Sequence, residues 1–190
     1  DDEQSKAEIV EFEDDDLREA VKEELGIESA DVTVSDMEEL EKLYIAGGRT
    51  ITSLNGLEHA VNLTELEVPY TDLEDISALA NLKKLKHLYL SETKISDVSP
   101  LKDLTQLQSL NLASTNVTDV SPLKDLTQLT VLNISSTNVT DISALENLTN
   151  LELLDLDFTN VSDISVLKNL KKLTGLGLGA PNVTDISVVE

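Results

Sequence analysis

The feature that most constrains this chain is a phase relation. Thr71, Thr93, Thr115, Thr137 and Thr159 follow one another at intervals of 22 residues, as do Asp75, Asp97, Asp119, Asp141, Asp163 and Asp185. Two aliphatic columns keep the same interval: Leu66, Leu88, Leu110, Leu132, Leu154 and Leu176, then Val68, Leu90, Leu112, Ile134, Leu156 and Leu178. One unit reads L-x-x-L-x-L-x-x-T-x-[IV]-x-D-[IV]-S-x-L, with a further Leu three residues on. Columns held in phase over so many units mean that one small piece of structure is built again and again. No single piece can bury its own apolar side, so successive pieces must stack and share a core.

Within a unit, the spacing dictates the geometry. In Leu88-Tyr89-Leu90, alternate side chains face opposite sides of a short strand, so both leucines point inward while His87, Tyr89 and Ser91 point outward. Successive strands then form a parallel sheet with about 4.8 Å between neighbours. Leu101, Leu104 and Leu107 close the coil from its far side, and Pro100 and Pro122, each directly after Ser, suit short 3₁₀ turns there rather than a long helix. This is the leucine-rich-repeat pattern. The expected fold is an α/β leucine-rich-repeat solenoid: a parallel sheet on the concave face, 3₁₀ or short turns on the convex face, and a small helical cap at the N-terminal end.

Composition agrees and excludes several functions. Aromatic residues make up only 3% of the 190, with no Trp, so Leu, Ile and Val must build the core. Net charge is −23, of which residues 1–43, with 18 acids and 4 bases, hold −14. Such a field repels nucleic-acid phosphates and anionic membranes and favours basic partners. The absence of cysteine rules out disulfides and thiolate metal sites. No apolar run is long enough to span a bilayer. The start at Asp1-Asp2, without Met or an apolar leader, is what removal of an export signal or a cut within a longer chain would leave.

The polar columns read as structural. A Thr hydroxyl, with one donor and two acceptor sites, can tie down backbone groups in the turn leaving the strand, a shorter version of an amide ladder. The Asp column precedes the Ile/Val-Ser turn, where a carboxylate can accept from freed N–H groups as helix caps do. A calcium ladder is the sharper alternative, but it needs 6–8 oxygens converging on one point.

The ends differ from the middle. Residues 1–8 are expected to be a disordered tail, 9–45 a helical cap, and 46–190 about six repeats. Asp14-Asp15-Asp16 opens a helix with Leu17, Ala20, Val21 and Leu25 on one side and Gly26 at its end. Ser35 with Glu38 fits a capping box for a second short helix running through Leu40 and Leu43. Leu43, Ile45, Ile51, Leu54 and Leu57 then form a degenerate first repeat, one residue longer near Gly47-Gly48. The chain stops at Glu190 just after Ile186 and Val189 have entered convex positions, with no polar capping segment, so the natural protein is expected to continue.

Cap and repeats together resemble the internalins and related Gram-positive surface proteins. The elements that carry the resemblance are Phe12-x-Asp14-x-x-Leu17, Leu25-Gly26, Val32-Thr33, Ile51-x-Ser53-Leu54-x-Gly56-Leu57 and Asn62-Leu63-Thr64, followed by the 22-residue repeat with D-[IV]-S-x-L on its convex side. The sequence departs from the pattern in carrying Thr at the Asn column and in lacking the Ig-like segment that commonly follows. The resemblance implies a secreted, wall- or membrane-attached protein whose concave sheet binds a host or surface partner.

No catalytic or metal constellation stands out: His59 and His87 belong to no spaced ligand motif, and the abundant Ser and Asp fall in periodic columns. Gly175-Leu176-Gly177-Leu178-Gly179 superficially resembles a phosphate loop, but its glycines take outward strand positions and its leucines the core columns. Neither a cofactor nor a metal is expected. Function is left to the outward strand positions, which packing does not dictate. The candidate binding residues are Glu65, Glu67, Tyr70, His87, Tyr89, Asn111, Val131, Asn133, Leu153, Asp155, Asp157 and Phe158. They describe an acidic-aromatic entrance, a shallow floor of small residues and a second acidic-aromatic patch. Aromatics ringed by polar groups are typical binding anchors, whereas ordinary solvated sheet residues are the bland alternative. The expected function is non-enzymatic recognition or adhesion at a cell surface, by a monomer, with a protein or glycan ligand. A structural spacer, or an accessory domain of a larger extracellular enzyme, are the alternatives.

Overall fold

A computed structural model of the chain describes residues 7–45, 48–179 and 182–189. It shows a seven-stranded, wholly parallel sheet in sequential order. The strands are β1 (Lys42–Tyr44), β2 (Glu65–Glu67), β3 (His87–Tyr89), β4 (Ser109–Asn111), β5 (Val131–Asn133), β6 (Leu153–Asp155) and β7 (Gly175–Gly177). From β2 onward, residues 22 apart lie side by side, as in Leu88↔Leu110 and Leu132↔Leu154. The first pair is displaced by one, Leu43 facing Leu66, so the first repeat is indeed one residue longer. Of Gly47-Gly48, near which that extra residue was expected, Gly47 lies outside the described residues and Gly48 has φ 98°.

Each strand is answered across the coil by a 3₁₀ turn, such as Ser99–Leu101 and Ser121–Leu123, with proline in its first turn in both. The leucine columns between sheet and turns merge into one buried cluster that runs from Val10 in the cap to Leu170. Burying each such side chain contributes on the order of 1.5–3 kcal/mol. In the last described coil, Leu173, Leu176, Leu178 and Val188 are only partly buried.

Both polar columns do local work. The Thr93, Thr115, Thr137 and Thr159 hydroxyls donate at 2.7–2.8 Å to the carbonyls of Leu90, Leu112, Ile134 and Leu156, three residues back on the departing strand. They satisfy the strand exit within each coil, so the expected ladder is a set of separate rungs. The cross-coil bonds nearby come from the next residue, for example Asn116 N–H to Ile95 C=O at 2.9 Å and the Asn116 side-chain amide to Lys94 C=O at 3.3 Å. On the convex side, each Asp accepts from the N–H two residues on, Asp97 from Ser99 and Asp119 from Ser121, both at 2.8 Å. Those N–H bonds, reinforced by the same serine hydroxyls, hold the Asp97, Asp119, Asp141 and Asp185 carboxyls below the ordinary aspartate value. At Asp163 the Ser165 hydroxyl leads and the backbone bond follows, with the same result.

The cap has two helices, α1 (Asp15–Leu25) and α2 (Val34–Glu38). Asp14 caps α1, and Gly26 ends it in the left-handed conformation at φ 66°. Asp14 also reaches the first repeat: its Oδ2 accepts from the Thr52 N–H at 2.7 Å while its Oδ1 accepts from Leu17 N–H at 3.1 Å. Burial pushes the Asp14 carboxyl up, but the bonds from Thr52, Leu17 and Ser53 outweigh it and leave its pKa lowered. Phe12 lies flat against Gly56, where φ is +105° and a Cβ would stand 2.7 Å from the ring. Asp14 and Phe12 thus pin the cap to the stack at two neighbouring points.

Two expectations at this end need correction. The capping box of α2 is Thr33 with Asp36, the helix stops at Glu38, and Leu43 belongs to β1. At Thr33, which also pairs with Ile9 in an antiparallel bridge, the box is closed both ways: the Asp36 N–H donates to the Thr33 hydroxyl at 3.1 Å and the Thr33 N–H to Asp36 Oδ2 at 2.8 Å. Of the tail, residues 1–6 lie outside the described residues, whereas Glu8 is anchored, its carbonyl accepting from Val34 N–H at 2.9 Å.

Candidate binding face

The sheet presents its outward side chains as a lattice. One row runs Lys42, Glu65, His87, Ser109, Val131, Leu153, Gly175, and the next Tyr44, Glu67, Tyr89, Asn111, Asn133, Asp155, Gly177. Neighbours within a row stand about 4.8 Å apart. Ten of the twelve candidates lie on or directly beside these strands: Glu65, Glu67, His87, Tyr89, Asn111, Val131, Asn133, Leu153 and Asp155 on them, and Asp157 two residues past β6.

Tyr70 and Phe158 do not sit on strands. They occupy the corner where the chain leaves the sheet, in the left-handed region at φ 57°, together with Glu92, Ser114 and Ser136 at φ 54–56°. The conformation belongs to the corner and not to the residue: each corner N–H reaches across to the next coil, as Tyr70 does to Ser91 C=O at 3.1 Å and Phe158 to Gly179 C=O at 2.9 Å. An L-residue with a Cβ is held there at a cost of roughly 1–2 kcal/mol. The rings recover none of it by burial, since Tyr70 is 68% and Phe158 75% exposed. Alternation along the strand reaches Pro69 and Asp157 but not Tyr70 or Phe158, so it gives no sign of the corner.

The entrance of the face is less acidic than the sequence implied. Glu65 is paired with Lys42 at 2.8 Å and accepts a hydrogen bond from the Tyr44 hydroxyl. These bonds, first that from Lys42 and then that from Tyr44, lower the Glu65 carboxyl, and the bond to Glu65 raises both Lys42 and Tyr44. Lys42 and Tyr44 are the face residues that sequence reasoning missed: the second helix was run through Leu43, over Lys42, and no strand was drawn in the degenerate first repeat. The signal was present: Leu43 and Ile45 precede Leu66 and Val68 by the same 23 residues. Beside this cluster, the buried Nδ1 of His87 has no hydrogen-bond partner among the described residues.

In the middle of the face, Asn111 Oδ1 accepts from Ala113 N–H and Asn133 Oδ1 from Ser135 N–H, both at 2.9 Å. Their carbonyls brace the strand exit, and their amide N–H₂ groups have no hydrogen-bond partner among the described residues. Asp155 makes the same bond, to Asp157 N–H at 2.9 Å. At the far end, the side chains of β6 lie over the bare strand β7. A Cβ on Gly175 would collide with Leu153, one on Gly177 with Asp155, and one on Gly179 would stand 2.9 Å from Asp157 Oδ1. Among the described residues, no cluster of three or more His, Asp or Glu is placed to hold a metal ion, and no helix is long and apolar enough to cross a membrane.

Comparison with known proteins places this face in context. The family model for leucine-rich repeats in two copies matches residues 61–103 and 105–147. No curated protein sequence matches the chain. Two solved structures from Listeria monocytogenes are similar over 94% of it. One, an internalin (InlF), is 33% identical with a TM-score of 0.72, and the chain spans 59% of its length. The other, internalin C2, is 32% identical with a TM-score of 0.77, and 89% of it is covered. The leucine-rich-repeat ectodomain of the Arabidopsis thaliana membrane receptor kinase GASSHO1/SCHENGEN3, solved in complex with Casparian strip integrity factor 2, is 23% identical, with a TM-score of 0.66. That likeness covers 76% of this chain and 19% of the receptor's, and it is one of fold alone.

Proposed function

This chain belongs to the internalin family of leucine-rich-repeat proteins, and from that footing we propose that it is a non-enzymatic recognition module, exported to the cell surface, that binds a protein partner through its concave sheet. The observation that carries the reading is the pair of corner aromatics. At Tyr70 and Phe158 the fold accepts any residue that tolerates a left-handed backbone, and in three other coils it uses Glu92, Ser114 and Ser136. Large rings held at a conformational cost and left in solvent have no role in packing. Exposed aromatics are the residue type that dominates binding hot spots. They stand four strands apart, about 19 Å along the sheet, on either side of a floor of serine and asparagine. A spacer with no ligand of its own gives no reason for either ring.

The test is a panel of binders selected from a random-peptide phage library against the immobilised chain. Binders from separate selections should compete for one region and lose about tenfold or more in affinity when Tyr70→Ser and Phe158→Ser are combined. The melting temperature should hold, because Ser114 and Ser136 already occupy the equivalent corners. Binders scattered over the convex side and indifferent to the double variant would favour the spacer.

A further inference from the structure

Resting on the concave-face reading, we infer that the partner is anchored at β6 by a segment carrying a lysine or arginine flanked by apolar residues, its cation between Asp155 and Asp157 and its apolar neighbours on Leu153 and Phe158. The first argument comes from comparing adjacent coils. The buried residues of β5 and β6 are equivalent, Leu132 with Leu154 and Ile134 with Leu156, all under 3% exposed. The outward residues are not: Val131, Asn133, Ser135 and Ser136 become Leu153, Asp155, Asp157 and Phe158. The buried columns demand none of these changes. Asn111 and Asn133 show that an amide makes the same strand-exit bond as Asp155, so the charge at 155 is what the fold does not need.

The second argument is charge. At the entrance of the face, Glu65 has its counterion in Lys42. At β6, Asp155 and Asp157 each use Oδ1 for a backbone N–H, from Asp157 at 2.9 Å and from Gly179 at 2.5 Å, and no cationic side chain pairs with either among the described residues. Two carboxylates on one face, beside Leu153 at 47% exposure and Phe158 at 75%, complement a cation set among apolar groups. An aromatic face adds to the attraction for that cation. The third argument is access. β7 has glycine at 175, 177 and 179, so no side chain of that coil covers Leu153, Asp155 and Asp157, which lean into the space its Cβ atoms would take.

The experiment uses the full chain and a random dodecapeptide phage library, with selected peptides measured against wild type, Asp155→Asn, Phe158→Ser and Tyr70→Ser. The expected result is enrichment of lysine or arginine next to apolar residues. Affinity should fall by about tenfold with Asp155→Asn and again with Phe158→Ser, weaken with added salt, and stay unchanged with Tyr70→Ser. Peptides that depend on Tyr70 and ignore the β6 variants would overturn this inference while leaving concave-face recognition standing. Peptides indifferent to all three variants would overturn both. Absence of basic enrichment, or of any binder, overturns the β6 assignment.

Discussion

Replacing Asp14 by Ala isolates the joint between cap and repeats. The carboxylate is 7% exposed and does two things at once: Oδ1 caps α1 through Leu17 N–H at 3.1 Å, and Oδ2 takes the Thr52 N–H at 2.7 Å and the Thr52 hydroxyl at 3.1 Å. Loss of an N-cap costs about 1 kcal/mol. Loss of a charge-assisted bond to a backbone N–H adds about 1.5–3 kcal/mol. The sum is about 2.5–4 kcal/mol, which for a chain of this length lowers the melting temperature by about 5–16 °C. The pH dependence separates this account from a simple packing defect. The folded-state pKa of Asp14 is lowered, so its stabilisation is fully present above the unfolded aspartate value near 4 and disappears as pH falls through the folded value. Chemical denaturation of wild type and Asp14→Ala should therefore show a gap that is constant from pH 8 to about 5 and closes on further acidification. A loss below about 0.5 kcal/mol, the range of an ordinary surface substitution, or a gap that persists in acid, would refute the reasoning.

Two further outcomes follow from the same geometry. Gly56→Ala should destabilise by about 1–3 kcal/mol, since it strains a left-handed backbone and pushes on the Phe12 ring; Phe12→Ala, itself destabilising, should make the Gly56→Ala change cheaper, a coupling readable in a double-mutant cycle. The convex aspartates Asp97, Asp119, Asp141, Asp163 and Asp185 are all held below their ordinary pKa by local bonds, so their contribution to stability is present above about pH 4 and lost below it; Asp119→Asn with Asp141→Asn should make acid unfolding, followed by circular dichroism, less steep.

Most of the architecture was legible because burial in a stacked coil imposes one residue class per column at a fixed interval. Leu66 through Leu176 announce the sheet, and the Ser-Pro pairs announce its 3₁₀ backing. What was not legible depends on contacts between segments distant in sequence. Thr33-x-x-Asp36 and Ser35-x-x-Glu38 both satisfy the capping pattern, and the fold uses the first, at a residue that also pairs with Ile9. Running that helix through Leu43 hid the outward position of Lys42, whose charge pairs with Glu65. The corner at Tyr70 and Phe158 was invisible for a different reason. Left-handed backbone is usually marked by glycine or asparagine, and here bonds between coils impose it on whatever residue is present. The engagement of the Asn111 and Asn133 carbonyls by backbone N–H groups was likewise hidden, since an outward amide reads as free until its neighbours are placed.

If buried columns alone hold the stack and the outward lattice is free for recognition, then giving β6 the face of β5 should leave the fold intact. The variant Leu153→Val, Asp155→Asn, Asp157→Ser, Phe158→Ser copies residues already present one coil away, and thermal unfolding should place its melting temperature within about 4 °C of wild type. A fall of more than about 10 °C, beyond what four surface changes account for, would mean that these side chains support the fold and are not available to a partner.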